Sequence, residues 1–222
     1  MGWSALLRDI SLIIVSWSAI YGVDAWRREY RGKRQIELAE DTLALFYQAQ
    51  DAINYIRFPL AAADEGKSRS APGEETEEEK RVRDQAYVMF ERYNQHHDIF
   101  NKIHSLRYRF MAQFGREAAT PFDDLKNHVN KILSSARRLS VLWAKDPEMF
   151  VNEEQKKSHY QKIEALEKLF WWQGDDDPIT KELDKIINAI ESTCQNIITA
   201  KGSLYSLLNI RLPFTGKYKR AK

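Results

Sequence analysis

The sequence predicts an all-α protein, in which an N-terminal membrane-anchoring helix precedes an antiparallel bundle of about five long helices with coiled-coil-like seams. One long apolar run lies near the N-terminus, at residues 10–23. Beyond it, apolar residues recur at spacings of three and four, which is the period of one helix face, and no strand-like alternation occurs. The 9 glycines and 6 prolines fall mostly between these periodic segments, where helical proteins place them.

The charge balance, the cysteine count and the missing cofactor motifs limit the classes of function that this sequence can have. The 222 residues carry 34 basic and 32 acidic side chains, a net charge of +2, so bulk charge gives no reason to expect a nucleic-acid partner. The single cysteine, Cys194, excludes an intramolecular disulfide framework and suits a reducing compartment. No glycine-rich phosphate loop and no zinc-ligand spacing occurs, so no cofactor and no metal is expected.

Residues 1–26 are predicted to be a single-pass membrane anchor. Residues 10–23 alone rise about 21 Å as a helix, which is short of a bilayer core about 30 Å thick. Extension back to Trp3 supplies the missing length and places Arg8 near one interface, where its side chain can reach water. Trp3 and Trp26 then serve as interfacial aromatic residues.

A basic juxtamembrane collar, residues 27–35, follows the apolar run. Its cationic side chains are Arg27, Arg28, Arg31, Lys33 and Arg34. Under the positive-inside rule they place the N-terminus outside and the C-terminal domain in the cytoplasm, in a bacterial inner membrane. Two alternatives remain for residues 10–23: an interfacial helix, or a helix packed in the core of a fully soluble bundle.

Residues 36–212 form the predicted bundle domain, interrupted by a flexible linker at residues 60–74. Pro59 ends the first helix, because proline disfavours the helical state in the residue before it. The linker is rich in small and polar residues, so it offers nothing to a core. The next helix begins among the glutamates of residues 74–79 and runs to Gly115, a C-terminal cap.

Three proline pairs mark the later helix starts: Thr120-Pro121, Asp146-Pro147 and Asp177-Pro178. Each pair is typical of an N-cap followed by proline at the first helical position. Asp123 is placed to complete a capping box with Thr120. The last helix is expected to reach residue 211, and residues 213–222 form a basic tail.

One short motif indicates a catalytic alternative. Residues 92–97 read RYNQHH, and this spacing of Arg92 and His97 resembles the motif of HEPN-type ribonucleases. The resemblance implies an all-α ribonuclease that uses Arg92 and His97 on RNA phosphates, and the predicted anchor would tether this enzyme to the membrane. Tyr93 departs from that family's pattern, in which a polar residue commonly follows the arginine. The other interpretation is a solvated helix face.

The function expected from the residues is that of a cytoplasm-facing helical interaction protein, such as a scaffold, sensor or accessory subunit, without catalytic activity of its own. Its expected partners are the lipid bilayer and a protein, or a second copy through the helical seams. Trp171 and Trp172 are the candidate partner-binding residues, because adjacent helical side chains point about 100° apart and one of them can face outward.

Overall fold

A computed structural model of the chain describes residues 3–71, 73–146 and 150–200. For residues 4–8 and 200 it describes the main chain only. The helices are α1 (Trp3–Ile56), α2 (Glu77–Phe114), α3 (Thr120–Leu142), α4 (Glu153–Phe170) and α5 (Pro178–Ala200), with a 3-10 turn at Glu117–Ala119 before α3. No strand occurs within those described ranges. The all-α prediction is confirmed.

Among the described residues the chain divides into two units, one formed by residues 3–39 with 194–200 and one within residues 40–193. In the second unit the helices pack antiparallel, as predicted. The predicted anchor and the first bundle helix are a single helix, because α1 continues through Gly22 and Gly32 without a break.

Aromatic packing forms the centre of the second unit. The ring of Phe122 in α3 packs edge-on against that of Phe46 in α1, with their centroids 4.9 Å apart. It also packs against the ring of Phe110 in α2, at a centroid distance of 5.2 Å. The spacing of apolar residues predicts an inward face of α3 that runs from Phe122 to Trp143. Six of its seven residues are buried, and Trp143, the C-cap of the helix, is half-buried. The buried residues are Phe122, Leu125, Val129, Ile132, Ala136 and Leu139. The spacing of three and four therefore identified this face of α3 correctly.

The helix ends follow the predicted signals with two exceptions, the starts of α3 and α4. The start predicted at Asp146-Pro147 is wrong, because α4 begins at Glu153, where the side chain of Asn152 accepts a hydrogen bond from the N–H of Gln155 at 2.9 Å. Gly115 ends α2 with φ 92°, a conformation that favours glycine. The capping box expected at Thr120 is wrong, because the 3-10 turn before α3 already holds Thr120 in a helical conformation (φ −52°, ψ −43°), whereas an N-cap needs extended backbone. Asp123 instead accepts a hydrogen bond from Nη2 of Arg107, at 2.6 Å.

The structure corrects the predicted single-pass anchor at residues 1–26. Within the described residues, no helix is both long enough and apolar enough to cross a membrane. The physical reason is that charged residues, Asp9 and Asp24, flank the apolar run on either side. Only about 21 Å of uncharged helix lies between them, which is shorter than a bilayer core of about 30 Å. The predicted orientation depends on such a span and stays a prediction. The basic tail, residues 213–222, lies outside the described residues.

Candidate functional site

Arg92 lies in a buried junction instead of on a solvated helix face. Its side chain is 2% exposed. Nη1 donates to the carbonyl of Phe58 at 2.7 Å, and Nη2 donates to the carbonyl of Leu60 at 2.7 Å. Two further bonds, at 3.1 and 2.7 Å, go to the carboxylate of Glu65. Because α1 ends at Ile56, Arg92 satisfies carbonyl groups that follow the last turn of that helix.

His97, the other candidate catalytic residue, is exposed. Its Nδ1 lies 2.9 Å from the carbonyl oxygen of Asn94, and its Nε2 lies 3.1 Å from Asp98 Oδ1. The structure therefore does not bring Arg92 and His97 together. Arg92 also has its donors occupied by main-chain carbonyls and Glu65, so its guanidinium is not available to an RNA phosphate.

The predicted flexible linker is bonded to α2. Besides the Glu65 contact with Arg92, the Gly66 N–H donates to the carboxylate of Glu91, and Nε of Arg69 donates to Asp84 at 2.9 Å. The hydrogen bond from Arg92 lowers the pKa of Glu65 despite the opposing effect of burial. This part of the segment is therefore held against α2 by charge pairs that composition alone did not reveal.

A second buried arginine joins α1, α4 and α5. Arg57 donates to the carbonyls of Leu169, at 3.1 Å, and Trp171, at 2.8 Å, at the end of α4. Its Nη2 also lies 2.9 Å from Asp177 Oδ1. Asp177 accepts the backbone N–H of Thr180 at 2.8 Å, so its predicted N-cap role is confirmed. Burial acts to raise the pKa of Asp177, but the bonds from Arg57 and Thr180 outweigh it and leave the pKa low.

The two candidate partner-binding tryptophans differ in exposure. Trp171 is half-buried, with its ring edge-on to Phe170 at a centroid distance of 4.3 Å. Trp172 is 44% exposed, and its main-chain N–H donates to the carbonyl of Arg57 at 2.9 Å. Phe58, the next residue after Arg57, is 46% exposed. We call Phe58, Leu60 and Trp172 the apolar tip; their main chain is bonded to the two buried arginines.

The apolar run of α1 is exposed along its whole length. Every residue from Asp9 to Asp24 is exposed, including Ile13 at 68% and Ile20 at 70%. These side chains are thus not packed in a core, contrary to the soluble-bundle alternative. Of the predicted interfacial residues, Trp3 is 86% and Trp26 is 64% exposed, while the side chain of Arg8 lies outside the described residues.

The collar side chains are also exposed: Arg27, Arg28, Arg31, Lys33 and Arg34. Two of them contact rings on the same helix, with the Arg28 guanidinium 5.8 Å from the Tyr21 ring and that of Arg34 5.9 Å from the Tyr30 ring. The collar therefore presents cations and aromatic rings together, as interfacial segments do.

No family model, curated protein or solved structure matches this chain. Relatives therefore supply neither an activity nor a partner. Among the residues that the structure describes, no group of three or more His, Cys, Asp or Glu side chains is arranged to hold a metal ion. The exposed surfaces and the buried arginine junctions are the features from which a function can be inferred.

Proposed function

We propose that this chain is a helical interaction protein that docks on a lipid bilayer through residues 10–23 of α1 and has no catalytic activity of its own. The observation that carries the proposal is the exposure of this run, in which Leu12, Ile13, Ile14, Val15, Trp17 and Ile20 are each at least 59% exposed. A contiguous exposed apolar surface of this kind is typical of a membrane or partner interaction site.

A bilayer suits this run better than a protein groove does. A helix that docks in a groove buries one stripe of side chains. Leu12 and Ile14, each 59% exposed, lie about 200° apart around the helix axis, so a single groove covers only one of them. Partial immersion in lipid covers more of the circumference.

The collar favours an anionic membrane surface. Each basic residue close to such a surface contributes about 1 kcal/mol to binding. The collar directly follows the apolar run on the same helix, so both parts can engage one surface. The anionic cytoplasmic leaflet of a bacterial inner membrane is the proposed setting.

The interaction partner is proposed to be a protein that binds the unit of residues 40–193. The apolar tip supports this part of the proposal, because Leu60 is 71% exposed although its carbonyl is bonded to Arg92. Exposed aromatic and aliphatic side chains on a fixed backbone are the usual anchors of protein interfaces. Trp172 is the first residue to change in a search for the partner.

Vesicle flotation tests the membrane part of the proposal. The full chain is mixed with phosphatidylcholine vesicles, with and without phosphatidylglycerol, and we expect it to float, more completely on the anionic vesicles. Val15→Asp should prevent flotation because it places a charge in the apolar run. Val141→Asp is the matched control, because Val141 of α3 is also exposed, at 57%.

Two results would contradict the membrane proposal. One is that Val15→Asp floats as well as the unchanged protein. The other is that Val141→Asp loses flotation to the same extent, which means that general destabilisation accounts for the effect. Replacing Arg27, Arg28 and Arg31 with glutamine should reduce only the preference for phosphatidylglycerol, because it removes three of the five collar cations and leaves the apolar run intact.

A further inference from the structure

α2 and α3 border a cavity of about 240 Å³ in the unit of residues 40–193. Its floor is apolar and includes the buried side chains of Ile103, Leu125 and Val129. Tyr93 and Phe100 line it from α2, with their rings stacked at a centroid distance of 5.1 Å. These surfaces suit a hydrocarbon or aromatic group.

Cations from both helices line the same cavity. Arg107 comes from α2 and Lys126 from α3. Nη2 of Arg107 donates to Asp123, but its Nε is buried and has no hydrogen-bond partner in the described part of the chain. Lys126 forms no ion pair with any carboxylate among those same residues. The Arg107 side chain is nevertheless 21% exposed, so the accessible part of its guanidinium can reach an anionic group in the cavity.

We propose that this cavity binds a small monocarboxylate with an apolar body. The carboxylate lies between Arg107 and Lys126, and the apolar body lies on the floor formed by α2 and α3. Octanoate, which joins one carboxylate to an unbranched apolar chain, is the probe for this site. This site is separate from the proposed membrane-binding run and from the apolar tip.

Charge balance favours a monovalent anion. Arg107 and Lys126 contribute two positive charges, and Asp123 neutralises one of them through its bond to Arg107. The remaining single positive charge matches one carboxylate, whereas a doubly charged phosphate leaves an unpaired negative charge. Hydrogen bonds between a guanidinium and a carboxylate are also among the strongest in proteins.

Calorimetric titration of the full chain with octanoate tests the proposal, with 1-octanol as the uncharged probe. We expect one saturable octanoate site and binding of octanol that is weaker by about tenfold, since octanol lacks the charge. Arg107→Gln should weaken octanoate binding by about tenfold or more. Arg109→Gln is the matched control, because Arg109 is an exposed arginine of the same helix that does not line this cavity.

A variant with the opposite expected sign separates binding from folding. Asp123→Asn should strengthen octanoate binding, because it frees Nη2 of Arg107 and leaves a second uncompensated positive charge at the cavity. Weaker binding in this variant overturns the proposal, as does equal binding of octanol and octanoate. Loss of octanoate binding in Val15→Asp also overturns it, because the ligand then binds to the apolar run of α1.

Discussion

Arg57 and Asp177 form a buried ion pair that links the end of α1 to the start of α5. Their side chains are 3% and 0% exposed, and Nη2 of the arginine lies 2.9 Å from Oδ1 of the aspartate. The same guanidinium bonds to carbonyls at the end of α4. Three helix ends therefore depend on one cation, whose charge is compensated by one carboxylate.

Removing the carboxylate charge should destabilise the fold strongly. Asp177→Asn keeps a good N-cap for α5 but leaves Arg57 buried without its counterion, which typically costs about 3–5 kcal/mol. Urea unfolding measures the change. Asp176→Asn is the control, because Asp176 pairs with Lys181 while fully exposed, and its loss should leave the unfolding midpoint nearly unchanged. Equal midpoints for the two variants contradict the prediction.

Urea unfolding should also distinguish Arg92 from His97, the two residues of the ribonuclease-like motif, by their effect on stability. Arg92→Met should destabilise the protein by about 3–5 kcal/mol, because Glu65 and the carbonyls that follow α1 lose their buried cation. It should also speed proteolysis within residues 60–71, which then lose one of their attachments to α2. His97→Ala should change neither the unfolding midpoint nor the cleavage rate, because His97 is exposed. If Arg92→Met behaves like His97→Ala, the junction is not structural.

The helices and their inward faces could be predicted because those signals are local. A spacing of three and four found the buried face of α3, and Asp177-Pro178 marked the start of α5. Gly115 predicted the end of α2, which is also a local signal, because a single residue with positive φ can end a helix. The apolar run was also found locally, but hydropathy alone could not decide between a span and a surface-bound helix.

The burial of Arg92 could not be predicted, because its cause is distant in sequence. Periodicity assigns a charged side chain to the solvated face, whereas Arg92 is buried by a partner 27 residues away, Glu65. Arg57 is likewise buried against Asp177, 120 residues away. The signal that could have found both is the need of each helix end for donors or acceptors, combined with an arginine able to supply several donors.

Gly66 is a third position where a single substitution should be costly. Its φ is +87°, and an added Cβ atom would lie 2.0 Å from the carbonyl oxygen of Asp84. Gly66→Ala should therefore cost more than the roughly 1–2 kcal/mol of a left-handed conformation alone, because the backbone of α2 or the segment has to move. Gly73→Ala is the matched control, since nothing lies within 4 Å of its Cβ position. Thermal unfolding of both variants should show a large loss only for Gly66→Ala.

His128 should make stability sensitive to pH. It is buried, its Nδ1 lies 3.8 Å from Glu182 Oε2, and neither ring nitrogen has a hydrogen-bond partner among the described residues. Burial lowers its pKa, and the attraction of Glu182 only partly opposes this effect. The unfolded chain, with a histidine pKa of about 6.5, therefore binds more protons. The contribution of His128 to stability is complete above that pH and is lost as pH falls below it.

Urea unfolding at several pH values, between about 7.5 and about 5.5, checks this effect. His128→Leu should gain stability relative to the unchanged protein as pH falls, because leucine has no proton to bind. Carboxylates common to both proteins cancel in the comparison. A stability difference for His128→Leu that is constant across this range rules out a role for its protonation.

Deletion of residues 1–26 should separate membrane binding from folding. Every residue from Asp9 to Asp24 is exposed, so their removal takes no described side chain out of a core. The shortened chain should therefore keep its helical circular dichroism from residue 27 onward and its unfolding temperature. It should also lose flotation on phosphatidylcholine vesicles, because the apolar run is gone while the collar remains. Collapse of the helical signal or a sharp fall in unfolding temperature would show that the run stabilises the bundle, and continued flotation would show that another surface binds lipid.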